Sequence, residues 1–341
     1  MGRRKRLPQR GFVLAAALWT LAIVAVAAAY FAERIQHTMR MAALAQSRSQ
    51  ALVDMEATRA EILFRMATTP ISIFGLGLAP PDAIALDDRP YAGQGNTLLQ
   101  LQDNRGLLNL NFASDAQLDR FFSALGVPAT NRSALIDTLR DYVDDDNLKR
   151  LNGAEASNYA TANMPPPRNV YLITPLESRN IFSWKDVAAL WKDNLLPRLT
   201  CTGSSYLVNP NTAPWQVLAS MNGMTPEAAA AILQARKLAP IATQQQIEAL
   251  TGIAIPSDIF NQQMVTIPSD STRVTQRAIG MDWGWQYNVK LTPASEAAPW
   301  RIEYFYQVEL PPAIYGEQVA QSLPKRSTVA PSVAQSLRPF L

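Results

Sequence analysis

The sequence predicts an α+β chain: a long N-terminal helix packed on an antiparallel sheet, with a large helical domain inserted between the strands. Three observations carry this. From Phe12 to Thr69 there is neither glycine nor proline, so nothing breaks a helix before Pro70. Period-two alternation, the mark of half-buried strands, appears near 97–111 and again after Met264. Between these stretches the pattern is helical, broken at Gly126-Val127-Pro128, at 164–167 and at Gly203. At 341 residues, 48% hydrophobic and 17% charged, the chain has material for a sizeable core.

The first element is the helix over 12–69. Phe12 to Ala32 carries no charge, and only Thr20 is polar in side chain. Such a run spans about 31 Å at roughly 1.5 Å per residue, which matches a bilayer core. Residues 12–32 therefore read as a membrane span. Arg3, Arg4, Lys5, Arg6 and Arg10 precede it and should remain cytoplasmic, so the rest of the chain faces outward. Beyond Ala32, Leu52, Met55, Ile62 and Met66 recur at near-helical spacing among polar residues. A cleaved signal peptide ending in Ala27-Ala28-Ala29 is the rival reading, with a mature chain starting near Tyr30. The length of the apolar run and the missing helix breaker favour the anchored helix.

Five of the 31 basic residues lie in the first ten positions, and the chain has 28 acidic residues. The basic balance therefore belongs to the leader and gives no evidence for nucleic-acid binding. One cysteine, Cys201, excludes an intrachain disulfide and a cysteine metal cluster, and a lone His37 excludes most histidine-based catalysis.

Region 70–111 reads as a Pro/Gly/Asp-rich loop over 71–95 followed by a β-hairpin. Leu99, Leu101, Leu108 and Leu110 alternate with Gln and Asn around the turn Asp103-Asn104-Arg105-Gly106. The inserted helical domain covers 112–265. Inside it, Leu108 to Ala113 (LNLNFA) is echoed a hundred residues later by Val208 to Ala213 (VNPNTA). Leu118 matches Leu218, and Gly turns follow at Gly126 and Gly223. The Asn side chains suit helix starts. The C-terminal strands fall within 266–315. Trp285, Tyr287, Val289 and Leu291 form one apolar row; Trp300, Ile302, Tyr304, Tyr306, Val308 and Leu310 form another, with Phe305 out of phase. The tail, 316–341, has little to bury and is expected to be disordered.

Asp141, Asp144, Asp145 and Asp146 form the densest acidic cluster, with Glu155 not far behind. Carboxylates at this density suit a hard cation such as Ca2+, although the EF-hand pattern is absent. A solvated helix end is the plainer reading. Tyr206 to Gly252 resembles a helix-hairpin-helix (SAM-like) module of the competence DNA-receptor type. Its basic residues, Arg236 and Lys237, are outnumbered by Glu227, Glu248 and Asp258 within 206–260, which favours protein contacts over DNA. No nucleophile elbow, phosphate loop or dinucleotide fingerprint occurs, so the chain does not read as an enzyme.

The leader ending in Arg10-Gly11, then Phe12 and an apolar helix, resembles the processing site of type IV pilin-like proteins. Ala16 stands where most of that family has Glu. This departure, the large extra domain, and the segments DNRGLLNLN (103–111), DYVDDD (141–146), Gly153-Ala154-Glu155 with Tyr159, and VNPNTAP (208–214) are similar to the protein K family of type II secretion minor pseudopilins. The resemblance implies a prepilin leader at 1–11, cleavage between Gly11 and Phe12 with N-methylation of Phe12, and a pilin-like fold. It also implies a place at the tip of the pseudopilus, where Ala16 has no subunit above to register against. The implied partners are other minor pseudopilins, the major pseudopilin, the prepilin peptidase, the inner-membrane secretion platform and the exported protein; nucleic acid is not expected. Some members bind calcium in the helical domain. The rival functions are a membrane-anchored DNA-uptake protein using the helix-hairpin-helix module and a secreted binding protein.

Overall fold

The computed structural model describes residues 10–203, 205–254, 263–310 and 320–324. It divides into two units, 1–53 and 54–341. Helix α1 runs Arg10–Thr68 without a break. In the first unit every described side chain from Phe12 to Gln50 is exposed. By length and composition this is a helix that can cross a membrane.

In the second unit the helix acquires a buried face. Met55, Thr58, Ile62, Leu63 and Met66 recur at three- and four-residue steps and are buried. They pack on a six-stranded sheet in the order β10-β3-β4-β7-β8-β9. These strands are β3 (Asp87–Ala92), β4 (Thr97–Asp103), β7 (Ser271–Ala278), β8 (Trp283–Leu291), β9 (Trp300–Glu309) and β10 (Gln321–Ser322). A short antiparallel pair, β1 (Ile71–Ser72) with β2 (Gly75–Leu76), precedes them. Leu99, Leu101, Val274, Tyr287 and Val289 meet Ile62, Leu63 and Met66 in one core. The β3–β4 turn and β7 are held to α1 as well: Gln94 N in the turn donates to Thr58 Oγ1 (2.9 Å), and Gln276 Nε2 on β7 donates to the Met55 carbonyl (2.8 Å). Gly95 sits in this turn at φ +54°, and a Cβ there would overlap Asp54.

The structure departs from the sequence reading at five places. The 71–95 stretch is not all loop, since it contains β1, β2 and β3. Residues 97–111 do not form a hairpin. Strand β4 pairs with β3 and β7, whereas β5 (Leu108–Asn109) leaves the sheet and pairs in parallel with β6 (Thr200–Cys201). Asp103 decides this, by holding the turn in another direction as described below. The central strand β7 escaped the sequence pattern because its row, Ser-Thr-Arg-Val-Thr-Gln-Arg-Ala, is largely polar, yet all eight residues are buried. Its inward polar side chains are hydrogen-bonded; Arg273 donates to the carbonyls of Pro197 (3.1 Å) and Arg198 (2.6 Å) in the insert.

The fourth departure explains Phe305. The β8–β9 register slips between Asn288 and Val289, which pair with Tyr304 and Ile302. Glu303 is the extra residue of a β-bulge. One extra residue reverses the alternation, so Tyr304 and Tyr306 face away from α1 while Phe305 stacks on Tyr287 (5.5 Å between ring centres). The fifth lies in the tail: Gln321–Ser322 is ordered as β10, in parallel on Tyr91–Ala92. The remainder of 316–341 lies outside the described residues.

The insert has a separate core running from Leu108 to Met264, centred on Phe121, Phe122, Leu139, Tyr159, Trp184, Leu218 and Ile232. Its helices are α2 (Asp115–Ala124), α3 (Ala129–Val143), α4 (Ala156–Thr161), α5 (Ala188–Trp191), α6 (Leu195–Leu199), α7 (Trp215–Ala219), α8 (Pro226–Leu238) and α9 (Gln244–Thr251). The internal echo is structural. Asn109 Oδ1 accepts from Asn111 N and Asn209 Oδ1 from Asn211 N, both at 3.0 Å. Asn111 and Asn211 each bridge two carbonyls and accept one backbone N–H, from Leu172 and Ile241. Arg140 on α3 and Arg236 on α8 donate to the carbonyls of Ala113 and Ala213. Leu108–Asn109 and Val208 each take a parallel partner, Thr200–Cys201 and Met264. The insert is therefore two copies of one unit, packed through α2 and α7.

Candidate functional site

Two polar centres stand out in the second unit. The first is Asp103, where the chain enters and leaves the insert. It is fully buried. Oδ1 accepts from Arg105 N (3.1 Å), Ser269 N (2.8 Å) and Ser269 Oγ (2.8 Å). Oδ2 accepts from Asn209 Nδ2 (3.0 Å) and Thr212 Oγ1 (2.9 Å). Burial pushes its pKa up while these donors pull against the rise. One carboxylate thus ties the end of β4 to both copies' junction and to the chain returning to β7. Sequence reasoning saw only a turn residue here; apart from Arg105, its partners lie more than a hundred positions away.

The second centre follows α3. One carboxylate oxygen from each of Asp144, Asp146 and Glu155 lies within 4.8 Å of the others. Asp144 Oδ1 and both Glu155 oxygens are buried without a hydrogen-bond donor. Burial comes first in raising the pKa of Asp144 and Glu155, and repulsion from neighbouring acids, Asp141 and Asp146 among them, raises both further. A tight group of mutually repelling carboxylates, two of them with buried unpaired oxygens, is the donor set a hard divalent cation takes up. The residues fit calcium.

Of the acids expected from the sequence, Asp144 and Asp146 join this group. Asp141 and Asp145 do not. Asp141 is fully buried, accepts from Arg150 N (3.2 and 3.3 Å) and serves to fix the following loop. Gly153 lies so close that a Cβ would overlap the Asp141 carboxylate. Asp145 is exposed outside the group. The third member, Glu155, is brought in by the loop: its N–H donates to Asn158 Oδ1 (3.2 Å) at the start of α4. The 146 end is braced by Asn169, whose Nδ2 donates to the Asp146 carbonyl (3.0 Å).

At the residues read as a helix-hairpin-helix module, Gly223 takes φ +74° between α7 and α8. Arg236 is spent on the carbonyls of Pro210 and Ala213. That removes one of two cations the DNA reading needs. Cys201 is buried and its thiol is pushed up to about 12 by burial.

The two copies of the insert coincide with what the chain is similar to. Residues 96–203 and 208–266 each match a model of the family described as type II secretion system (T2SS), protein K, the first of the two being the model of its first domain. The chain belongs to the type II secretion protein K family. Members are pseudopilins, structural components of protein secretion rather than enzymes. A solved structure, that of the GspK-GspI-GspJ complex from the enterotoxigenic Escherichia coli type 2 secretion system, is similar with 16% identity and a TM-score of 0.48, covering 81% of this chain and 99% of that chain. No curated protein matches at a significant level. The apolar stretch of α1 is compatible with inner-membrane anchoring in a protein K. Of the residues tied to processing and assembly, Phe12 and Ala16 lie exposed on α1, Gly11 is within the helix, and residues 1–9 of the leader at 1–11 lie outside the described residues.

Proposed function

We propose that this chain is the minor pseudopilin that occupies the tip of the type II secretion pseudopilus, with calcium held by Asp144, Asp146 and Glu155 to fix its helical domain. The observation that carries the tip assignment is Ala16. A carboxylate in lipid is costly unless paired, and in pilin-like fibres it meets the amine of a neighbouring subunit. A subunit with Ala at this position has nothing to pair with a subunit above. The bulky insert between β4 and β7 supports the same reading, because it adds volume that a repeating fibre has to accommodate at every subunit. In this reading the peptidase cuts between Gly11 and Phe12 and methylates Phe12. The N-terminus is cytoplasmic and the remainder periplasmic until the helix is drawn from the bilayer into contact with other minor pseudopilins and the major pseudopilin. The secretion platform in the inner membrane and the exported protein complete the set of partners.

Two measurements test this. Mass analysis of the N-terminal peptide from native membranes should give methylated Phe12; a start near Tyr30 would remove both the anchor and the pilin pathway. Gold labelling of the insert on assembled fibres should place one cluster at a single end. Label distributed along the fibre would overturn the tip assignment.

A further inference from the structure

The tail contains the same five residues twice. Val319-Ala320-Gln321-Ser322-Leu323 recurs as Val333-Ala334-Gln335-Ser336-Leu337. The first copy supplies β10. Gln321 pairs with Tyr91 and Ser322 with Ala92, in parallel, on the outer edge of β3. Leu323 packs against the core that holds Ile62, Met66 and Tyr91. Arg65 Nη1 donates to the Pro324 carbonyl (2.9 Å). The seat therefore reads three things: a short ladder of backbone bonds, a leucine directly after them, and one main-chain carbonyl beyond. β3 needs such cover, because an edge strand exposes unpaired backbone groups to any extended segment. Pro90 lies within it, as suits an edge strand.

We infer that the β3 edge is a strand-docking site for the sequence Val-Ala-Gln-Ser-Leu, and that residues 333–337 are a second occupant of it in the same chain. Every feature the seat reads in the first copy is present in the second. The carbonyl offered to Arg65 becomes that of Arg338, a main-chain group available in any residue, while the Arg338 side chain brings like charge near Arg65. The longer connection from β9 lowers the chance of closure by roughly fourfold. The first copy thus holds the site, and the second takes it when the first is withdrawn. Either occupant keeps the edge closed to strands from other molecules.

The test uses the full chain in detergent, with Cys201→Ala to remove the native thiol. Ala92→Cys is combined with Ser322→Cys, with Ser336→Cys, or with Ser332→Cys as an out-of-register control, and disulfide formation is followed under mild oxidation. The 92–322 pair should close within one chain at the highest rate. The 92–336 pair should close more slowly, yet above the 92–332 control. Its rate should rise severalfold when Leu323→Asp withdraws the first copy. Gln321→Pro, which removes a ladder N–H without adding a charge, should have the same effect and serves if Leu323→Asp melts the domain. A 92–336 rate equal to the control in both variants would overturn the inference. So would 92–336 disulfides found only between chains.

Discussion

Asp103→Ala should lower the melting temperature of the chain by roughly 10 °C, the outcome of losing about 4 kcal/mol in a domain of this size. The substitution strands five donors at once: the backbone N–H groups of Arg105 and Ser269, the Asn209 amide and the hydroxyls of Ser269 and Thr212. A buried donor without an acceptor costs about 1–3 kcal/mol, and the hydroxyls can recover part of that by turning elsewhere. Asp103→Asn should cost about half as much. Its amide nitrogen can face Thr212 Oγ1, which accepts as readily as it donates, but it still opposes Asn209 Nδ2. Thermal melting by circular dichroism measures both. Equal, small losses for the two variants would mean that Asp103 does not hold the junction of sheet and insert.

Removing calcium should lower the melting temperature of the unmodified chain by several degrees. At one hundred times the dissociation constant, bound calcium contributes about 2.7 kcal/mol. Glu155→Gln and Asp144→Asn remove a ligand and should abolish the response to a chelator. Both variants should also be more stable than the unmodified chain in chelator, because each relieves the repulsion that raises the neighbouring acids. Asp145→Asn should leave the calcium response intact, since Asp145 stands outside the group. Asp141→Asn should destabilise with or without calcium, because Asp141 stands outside the group and its carboxylate is used to accept the Arg150 N–H. A calcium response that survives Glu155→Gln and disappears in Asp145→Asn would sink this assignment of ligands.

The acidic centre marks how far sequence reading reaches. Asp144 and Asp146 are visible as a cluster because they are neighbours along the chain. Asp141 and Asp145 share that proximity and not the site, because a helix end and a turn point successive side chains in different directions. Glu155 joins only when Gly153 lets the loop fold back on Asp141. The Asn pairs at 109/111 and 209/211 were readable as an echo. That they make the same hydrogen bonds in two copies of one unit needed the partners Leu172 and Ile241, which nothing local indicates.

What the sequence alone determined was everything that depends on local composition. It set the unbroken helix from Phe12, its apolar first half, the helical middle region and the alternating row of β8. Burial of apolar side chains at a fixed period writes these features into neighbouring residues. The tertiary structure decided the polar interior. β7 is buried along its whole length with only Val274 and Ala278 apolar, Glu303 reverses the facing of Phe305, and Asp103 draws donors from Asn209, Thr212 and Ser269. A buried polar group is stable only where partners meet it, and here the partners come from remote parts of the chain.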